Sequence, residues 1–214
     1  MASPVDPTAW PADPARRLVV FLKAPRLGAV KTRLAASLGD EAARGAYRAL
    51  VETLLGRLRP LSGAELRFAP DDGRGEIEPW LPPGWSARPQ GEGGLGEKLG
   101  RAFEEHFDGG GRGMVIIGSD CPYVTPADIH SAWLALETHD LVLGPARDGG
   151  YWLIGLNQPN SRLLAGIPWS TAEVLNETLR RAAELEFRVQ LLRELDDVDD
   201  EAGWHAFLDW SARA

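Results

Sequence analysis

The sequence predicts an α/β fold in a single domain, on three observations. Apolar runs at residues 18–22 (Leu-Val-Val-Phe-Leu) and 114–117 (Met-Val-Ile-Ile) lead into Gly- and Pro-containing turns, as strands covered on both faces do. Between such runs, apolar residues recur at helical spacing, so strands and helices alternate. The length of 214 residues fits one large domain with a well-buried core.

The first sixteen residues carry four prolines and read as a disordered tail, leaving residues 17–214 as the domain. The strand at 18–22 exits into Lys23-Ala-Pro-Arg-Leu-Gly28-Ala-Val-Lys31-Thr-Arg33-Leu34. Pro25 and Gly28 make a loop there, and helical spacing begins near Lys31. Lys23, Arg26, Lys31 and Arg33 thus lie in or just after a strand-to-helix loop. Free N–H groups and the positive helix end favour anions at such a place, and cations oppose the dipole unless an anion is bound. A phosphate cradle accounts for them; a solvated basic face is the plainer alternative. Lys31-Thr32 matches the end of a Walker A loop, but the Gly-x-x-x-x-Gly-Lys frame is missing.

Leu34 and Leu38 give a short apolar face that stops at Gly39. Asp40 is placed to cap a second helix bearing Ala43, Tyr47, Leu50, Val51, Leu54 and Leu58. Residues 66–68 are a short strand. Residues 71–83 are a Gly/Pro-rich surface excursion, near which Trp80 and Trp85 serve as stacking platforms or, more simply, as edge packing. Gln90-Gly91-Glu-Gly-Gly-Leu95-Gly96 opens a helix whose buried face is Leu99, Ala102, Phe103 and Phe107. Its glycines either admit a flat or charged ligand close to the backbone or form a plain loop.

The strand at 114–117 runs into Gly118-Ser-Asp-Cys-Pro122. Gly118 permits a sharp turn, and Pro122 has no N–H to offer a ladder. Asp120 is thereby presented at a strand's carboxyl end, where open α/β sheets bind ligands. A carboxylate there suits a hard divalent cation bridging protein and phosphate, although Asp before a turn also caps backbone. Thr125-Pro-Ala-Asp128 reads as a capping box with Pro in the first turn, starting a helix through Ile129, Trp133 and Leu136 that leads to a strand at 141–143.

The stretch from Gly144 to Gly155 sets Arg147, Asp148, Gly149 and Gly150 between two strands, by spacing most simply a hairpin turn. Ser170-Thr171-Ala-Glu173 reads as another capping box, before a helix through Val174, Leu175 and Leu179. After a strand at 187–192, Asp196, Asp197, Asp199 and Asp200 place four acids in five positions, which repel unless solvated or neutralised by a cation. They form either a solvated helix cap before Trp204 and Phe207 or a second metal ligand opposite Asp120.

The net charge of −8 argues against nucleic acid or an anionic membrane as partner, while cations clustered in glycine-containing loops fit a small phosphate. The single cysteine, Cys121, excludes an intramolecular disulfide and suits a reducing, cytoplasmic setting. With no histidine near it in sequence, Cys121 is not expected to act as a nucleophile. No stretch approaches a membrane span, and no signal peptide is visible. Nothing in the sequence sets an oligomeric state.

Five motifs occur in order: Lys23-Ala24-Pro-x-x-Gly28-x-x-Lys31-Thr-Arg33-Leu, Gly118-Ser-Asp-Cys-Pro122, Gly144-Pro-Ala-x-Asp148-Gly-Gly-Tyr, Pro168-Trp-Ser-Thr171 and Asp197-Val-Asp199. Across residues 18–210 the chain resembles a bacterial family usually labelled glycosyltransferase, of glycosyltransferase-A (nucleotide-diphospho-sugar transferase) fold. That family is related to the molybdenum-cofactor guanylyltransferases and to 2-phospholactate guanylyltransferase. The resemblance implies a single-domain three-layer sandwich with a mixed, mainly parallel sheet that binds a nucleotide and a divalent metal, Mg²⁺ or Mn²⁺. It implies catalytic roles for Lys31, Arg33 and Asp120, and nucleotide binding by Lys23, Ala24, Gly28, Lys31, Arg33, Gln90, Gly91 and Gly96. It further implies substrate binding by Asp148, Gly149, Gly150, Ser170 and Thr171, and metal ligation by Asp120, Asp199 and Asp197. Asp200 stands where threonine is expected.

Fold does not fix the reaction, and two transfers compete. In nucleotidylyl transfer, an acceptor oxygen attacks the α-phosphorus of a nucleoside triphosphate, and cations of the first loop stabilise the leaving pyrophosphate. In glycosyl transfer, the metal holds the diphosphate of a nucleotide-sugar and a small acceptor's hydroxyl attacks the sugar carbon, with less need of a basic first loop. The loop favours the former and the family label the latter. A non-catalytic nucleotide-binding module would tolerate losing Asp120 or the acidic pair, and both are present.

Overall fold

The computed structural model describes Asp13 and residues 15–213. Among these, seven strands form one sheet: β1 (Arg17–Lys23), β2 (Glu65–Ala69), β3 (Ser86–Pro89), β4 (Met114–Gly118), β5 (Leu141–Pro145), β6 (Tyr151–Leu156) and β7 (Val189–Leu191). Their spatial order is β3-β2-β1-β4-β6-β5-β7. β6 pairs antiparallel with β4 and β5, and every other pairing is parallel. The sheet is therefore mixed and mainly parallel, and the carboxyl ends of β1, β2, β3, β4 and β5 share one edge with the start of β6.

Helices α1 (Thr32–Leu38), α2 (Asp40–Leu58), α3 (Arg74–Ile77), α4 (Leu95–Asp108), α5 (Pro126–Ala135), α6 (Ser161–Leu164), α7 (Val174–Glu184) and α8 (Glu201–Ser211) complete the domain. The period-2 geometry of β1 decides the layering. Val20 and Leu22 face Tyr47, Val51 and Leu54 of α2 and the cluster with Ile129 and Trp133 of α5. Val19 and Phe21 join Leu99 and Phe103 of α4, Leu163 and Leu164 of α6 and Ala182 of α7. The result is one three-layer sandwich. Burial of each large core side chain contributes roughly 1.5–3 kcal/mol. Outside the sandwich, α1 and α8 pack on α2 through Leu34 against Ala43 and Ala46, and Phe207 with Val198 against Leu50.

Several local expectations are corrected. Residues 71–83 hold α3 and a 3₁₀ turn (Glu78–Trp80), and Trp80 and Trp85 are both buried in the core. β3 follows with no apolar alternation in its sequence, as an edge strand registered on β2. Gly39 rather than Asp40 caps α2, because the chain turns there at φ 83°, open to glycine. The box expected at Ser170 to Glu173 does not form. Ser170 sits at φ 65°, Thr171 Oγ1 donates to Pro168 O at 2.7 Å and accepts from Glu173 N at 3.3 Å, and α7 starts only at Val174. By contrast, the Thr125–Asp128 box and the β5–β6 hairpin are both present. Of the expected tail, residues 1–12 and 14 lie outside the described residues. Asp13 pairs with Arg112 at 2.6 Å, and Arg16 pairs with Glu137 at 3.0 Å.

Candidate functional site

A cleft of about 710 Å³ lies along the carboxyl edge of the sheet, and the first loop, the β4 exit, the β5–β6 hairpin, the approach to α7 and the acidic segment all reach it. Lys31 stands at its centre. It caps α1 in left-handed conformation at φ 48°, and its side chain is only 3% exposed. Its ammonium pairs with Asp120 and donates to Asp199 Oδ1 at 2.9 Å. Two hydrogen bonds to one nitrogen hold the two carboxylates within about 6 Å of each other. Burial alone depresses the Lys31 pKa, but Asp120 and Asp199 outweigh it, so the group is held above its ordinary value and stays charged.

The backbone explains the convergence. Val198 N donates to Asp120 O at 3.0 Å, tying the acidic segment to the exit of β4, and fully buried Val198 anchors it below. The four acids then part company. Asp196 pairs with Arg147 at 3.2 Å, Asp200 caps α8 by accepting from Gly203 N at 2.8 Å, and Asp199 takes Lys31. Asp197 lines the cleft. Burial, then Asp120, Asp148 and Asp199, push its carboxyl up to about 7, against a smaller opposing pull from Lys31. The expected solvated cap is thus realised in Asp200 alone. Asp200 supplies the N-cap oxygen that the expected threonine would also have offered.

Beneath this centre, Tyr47 of α2 staples two strand ends together. Its hydroxyl accepts from Lys23 N at 2.7 Å, donates to Lys23 O at 3.1 Å and lies 3.2 Å from Ser119 Oγ. Gln90 does similar work across β1 and β2, donating to Leu22 O at 3.0 Å and Arg67 O at 2.9 Å. Cys121 is buried, and desolvation raises its thiol to about 12, which removes it as a nucleophile at neutral pH.

Of the residues singled out in the sequence, Lys23, Lys31, Arg33, Gln90, Asp120, Asp148, Gly150, Ser170, Thr171, Asp197 and Asp199 line the cleft. Arg33 is well exposed, 3.9 Å from Asp199. Arg26 does not join the cradle: Asp72 and Glu76 hold it at 3.0 and 2.6 Å. Ala24 is buried, and Gly28 stands exposed at φ 69° outside the lining. The glycines before and in the first turn of α4 make room for the protein's own side chains. A Cβ at Gly91 meets Arg101, and one at Gly96 meets Trp169 Nε1 at 2.5 Å. Gly149 clamps the hairpin instead: φ is +88°, a Cβ there lies 2.1 Å from Ala172 O, and its own carbonyl accepts from Leu175 N at 2.9 Å. Sequence reasoning missed Tyr47, Ser119, Leu95, Tyr151 and Trp169. A hydroxyl on an otherwise apolar helix face was the available signal for Tyr47, and Trp169 lay inside a quoted motif.

Among the described residues, no group of three or more His, Cys, Asp or Glu side chains is arranged as a ready metal cage. The donor chemistry does fit a hard cation that completes its shell with phosphate. Asp120, Asp148 and Asp199 all raise Asp197, so carboxylate charge in the cleft exceeds what Lys31 neutralises. No described helix is long and apolar enough to cross a membrane.

A family model described as "Uncharacterized protein conserved in bacteria (DUF2064)" matches residues 57–171, and the chain belongs to this family. No curated protein matches the sequence. A solved structure from Desulfovibrio desulfuricans G20, provisionally named a nucleotide-diphospho-sugar transferase, is 31% identical. It superposes with a TM-score of 0.81 over 87% of this chain and 83% of that one. CMP:2-keto-3-deoxy-manno-octonic acid synthetase, solved with CTP, shares the fold at 8% identity and TM-score 0.57 over 92% and 99% of the two chains. Rv0371C from Mycobacterium tuberculosis, solved with manganese, shares it at 14% identity and TM-score 0.51 over 90% and 98%. The chain is thus a transferase of nucleotide-diphospho-sugar transferase fold.

Proposed function

We propose that the protein is a divalent-metal-dependent transferase that moves a nucleotidyl group from a nucleoside triphosphate to a small acceptor, in a reducing cytoplasmic setting. One observation carries the reading: Lys31, Asp120 and Asp199 meet in a single ion-paired centre at the carboxyl edge of the sheet, beside exposed Lys23 and Arg33. In this reading Asp120 and Asp199, aided by Asp197, hold Mg²⁺ or Mn²⁺, which neutralises phosphate charge when bound. Lys31 and Arg33 bind the β- and γ-phosphates and stabilise the pyrophosphate as it leaves. Tyr47 and Gln90 keep the strand ends rigid under the site. The Asp148–Gly150 hairpin and the Ser170–Thr171 segment bind the acceptor. The CTP and manganese of the two distant fold relatives support the reading.

Glycosyl transfer from a nucleotide-sugar is the second reading, favoured by the provisional name of the Desulfovibrio relative. A thermal-shift panel of nucleoside triphosphates and nucleotide-sugars with Mg²⁺ or Mn²⁺ separates the two. A ligand at a hundredfold its Kd adds about 2.7 kcal/mol of stability. Stabilisation by triphosphates, with pyrophosphate released on adding acceptors, supports nucleotidylyl transfer. Response to nucleotide-sugars alone selects the second reading, and response to neither overturns both.

A further inference from the structure

The centre contains a conflict. Asp120 and Asp199, the two carboxylates best placed for a divalent ion, already share a cation, the Lys31 ammonium. That ammonium is almost wholly buried, whereas the carboxylates remain 48% and 39% exposed towards the cleft. Lys31 takes one oxygen, Oδ1, of each carboxylate, and a metal ion drawn to the pair would compete with the ammonium for those atoms. Like charge at such short range opposes a second cation beside the ammonium.

We propose that Lys31 is a built-in counter-ion that holds the carboxylate pair closed to metal until nucleotide phosphate draws it away. This rests on the nucleotide-transferase reading and adds an order to it. Phosphate oxygens would take the ammonium from the carboxylates, and Asp120 and Asp199, once freed, would be the residues to hold a divalent ion, which would supply neutralisation of phosphate charge. Lysine suits such an exchange better than arginine does. Its ammonium is a single point charge on a flexible stem, and one swing transfers it from carboxylate to phosphate. The attachment is also favourable: Lys31 caps the seven-residue α1, between Lys23 at the end of β1 and Arg33 in the first turn, and all three line the cleft, so the swing stays inside it. Without the lysine, Asp120, Asp197 and Asp199 share only the exposed Arg33 guanidinium, 3.9 Å from Asp199.

The test is Mn²⁺ binding without nucleotide, read by electron paramagnetic resonance of the free ion, on full-length wild type, Lys31→Met and Lys31→Arg. Removing the resident cation should tighten Mn²⁺ at least tenfold in Lys31→Met and leave Lys31→Arg as weak as wild type. Equal or weaker binding by a folded Lys31→Met overturns the inference. A separate arm adds a nucleoside triphosphate to wild type and follows it by NMR of ¹³C-labelled lysine. Lys23, Lys31 and Lys98 are the lysines of the sequence, so the spectrum is simple to assign. The buried Lys31 signal should move towards that of exposed Lys23 as Mg²⁺ and triphosphate bind. A Lys31 signal that stays put while the triphosphate binds also overturns the inference, even if Lys31→Met fails to fold. If wild type binds neither triphosphate nor metal in any combination, the underlying nucleotide reading falls with it.

Discussion

Two buried cations, at opposite edges of the same sheet, are held by carboxylates in ways that differ. At the amino edge, Arg67 of β2 is clamped by Glu65 at 2.6 Å and Glu105 at 2.8 Å, with Arg88 as an outer partner of Glu65 at 3.5 Å. Arginine and Glu65 are both buried, at 5% and 8% side-chain exposure, beside a cavity of only about 200 Å³. At the carboxyl edge, Lys31 is as buried, but its carboxylates open onto a cleft more than three times larger. The first network is closed at Glu65 and open only at Glu105, its charges balance, and its planar fork spends its donors on fixed partners. The second is buried on the cation side only and carries surplus negative charge. A buried ion pair becomes a ligand site when its anions stay reachable and its charges do not balance.

The comparison can be broken most directly through stability. Arg67→Met leaves buried Glu65 with only the more distant Arg88, and urea unfolding should show a loss of about 3–5 kcal/mol. Lys31→Met leaves half-exposed carboxylates that water can solvate, so its loss should stay below about 1 kcal/mol. A larger loss at Lys31 than at Arg67 would make the active-edge pair the structural one.

Binding should show the opposite ranking. Calorimetry on Lys31→Ala should find nucleoside triphosphate weakened by about 1.5–3 kcal/mol, the worth of a charge-assisted contact. Asp120→Asn should lose turnover together with the dependence of metal affinity on nucleotide. Asp199→Asn should follow it less completely, because Asp197 is at hand to substitute. Unchanged triphosphate affinity in Lys31→Ala removes the cradle.

A subtler consequence concerns pH. Asp197 titrates near 7 in the folded protein against an ordinary 3.8, so the folded state favours its proton. Its contribution is complete below about pH 4 and disappears as pH rises through 7. Melting temperature in EDTA should therefore fall between pH 5 and 8, and Asp197→Asn should flatten the profile. Asp140 behaves oppositely: Arg188 holds it at about 2, so its contribution is lost only as pH drops below 4 towards 2. A profile that rises between pH 5 and 8 would remove the surplus charge from the description. The smallest effect is expected at Arg180 on α7, itself half-exposed, whose partners Glu177 and Glu184 are neighbours within one helix and whose loss leaves Glu177 still paired with Arg181. Arg180→Ala should leave melting unchanged within error, marking the exposed end of the scale.

Much of this was legible in the chain itself. Runs such as 18–22 and 114–117 became β1 and β4 because a strand covered on both faces leaves one mark, continuous apolarity. Thr125, Pro126 and Asp128 specified a helix start because a capping box closes within one turn. Lys31, Asp120 and Asp199 could be named from motif and position. Tertiary structure decided what local pattern does not encode. β3 lacks an apolar signature because an edge strand needs only a partner, and β2 provides it. The Ser170 segment looked like a cap yet is held at positive φ in a wall of the cleft, with Gly149 packed on its neighbour Ala172. Above all, the residue charges could not say which cation meets which anion. Lys31 pairs with carboxylates 89 and 168 positions away because Val198 N binds Asp120 O and draws the acidic segment across the sheet edge. Sequence carries the charges, but Coulomb energy depends on distance, and distance exists only once the chain has folded.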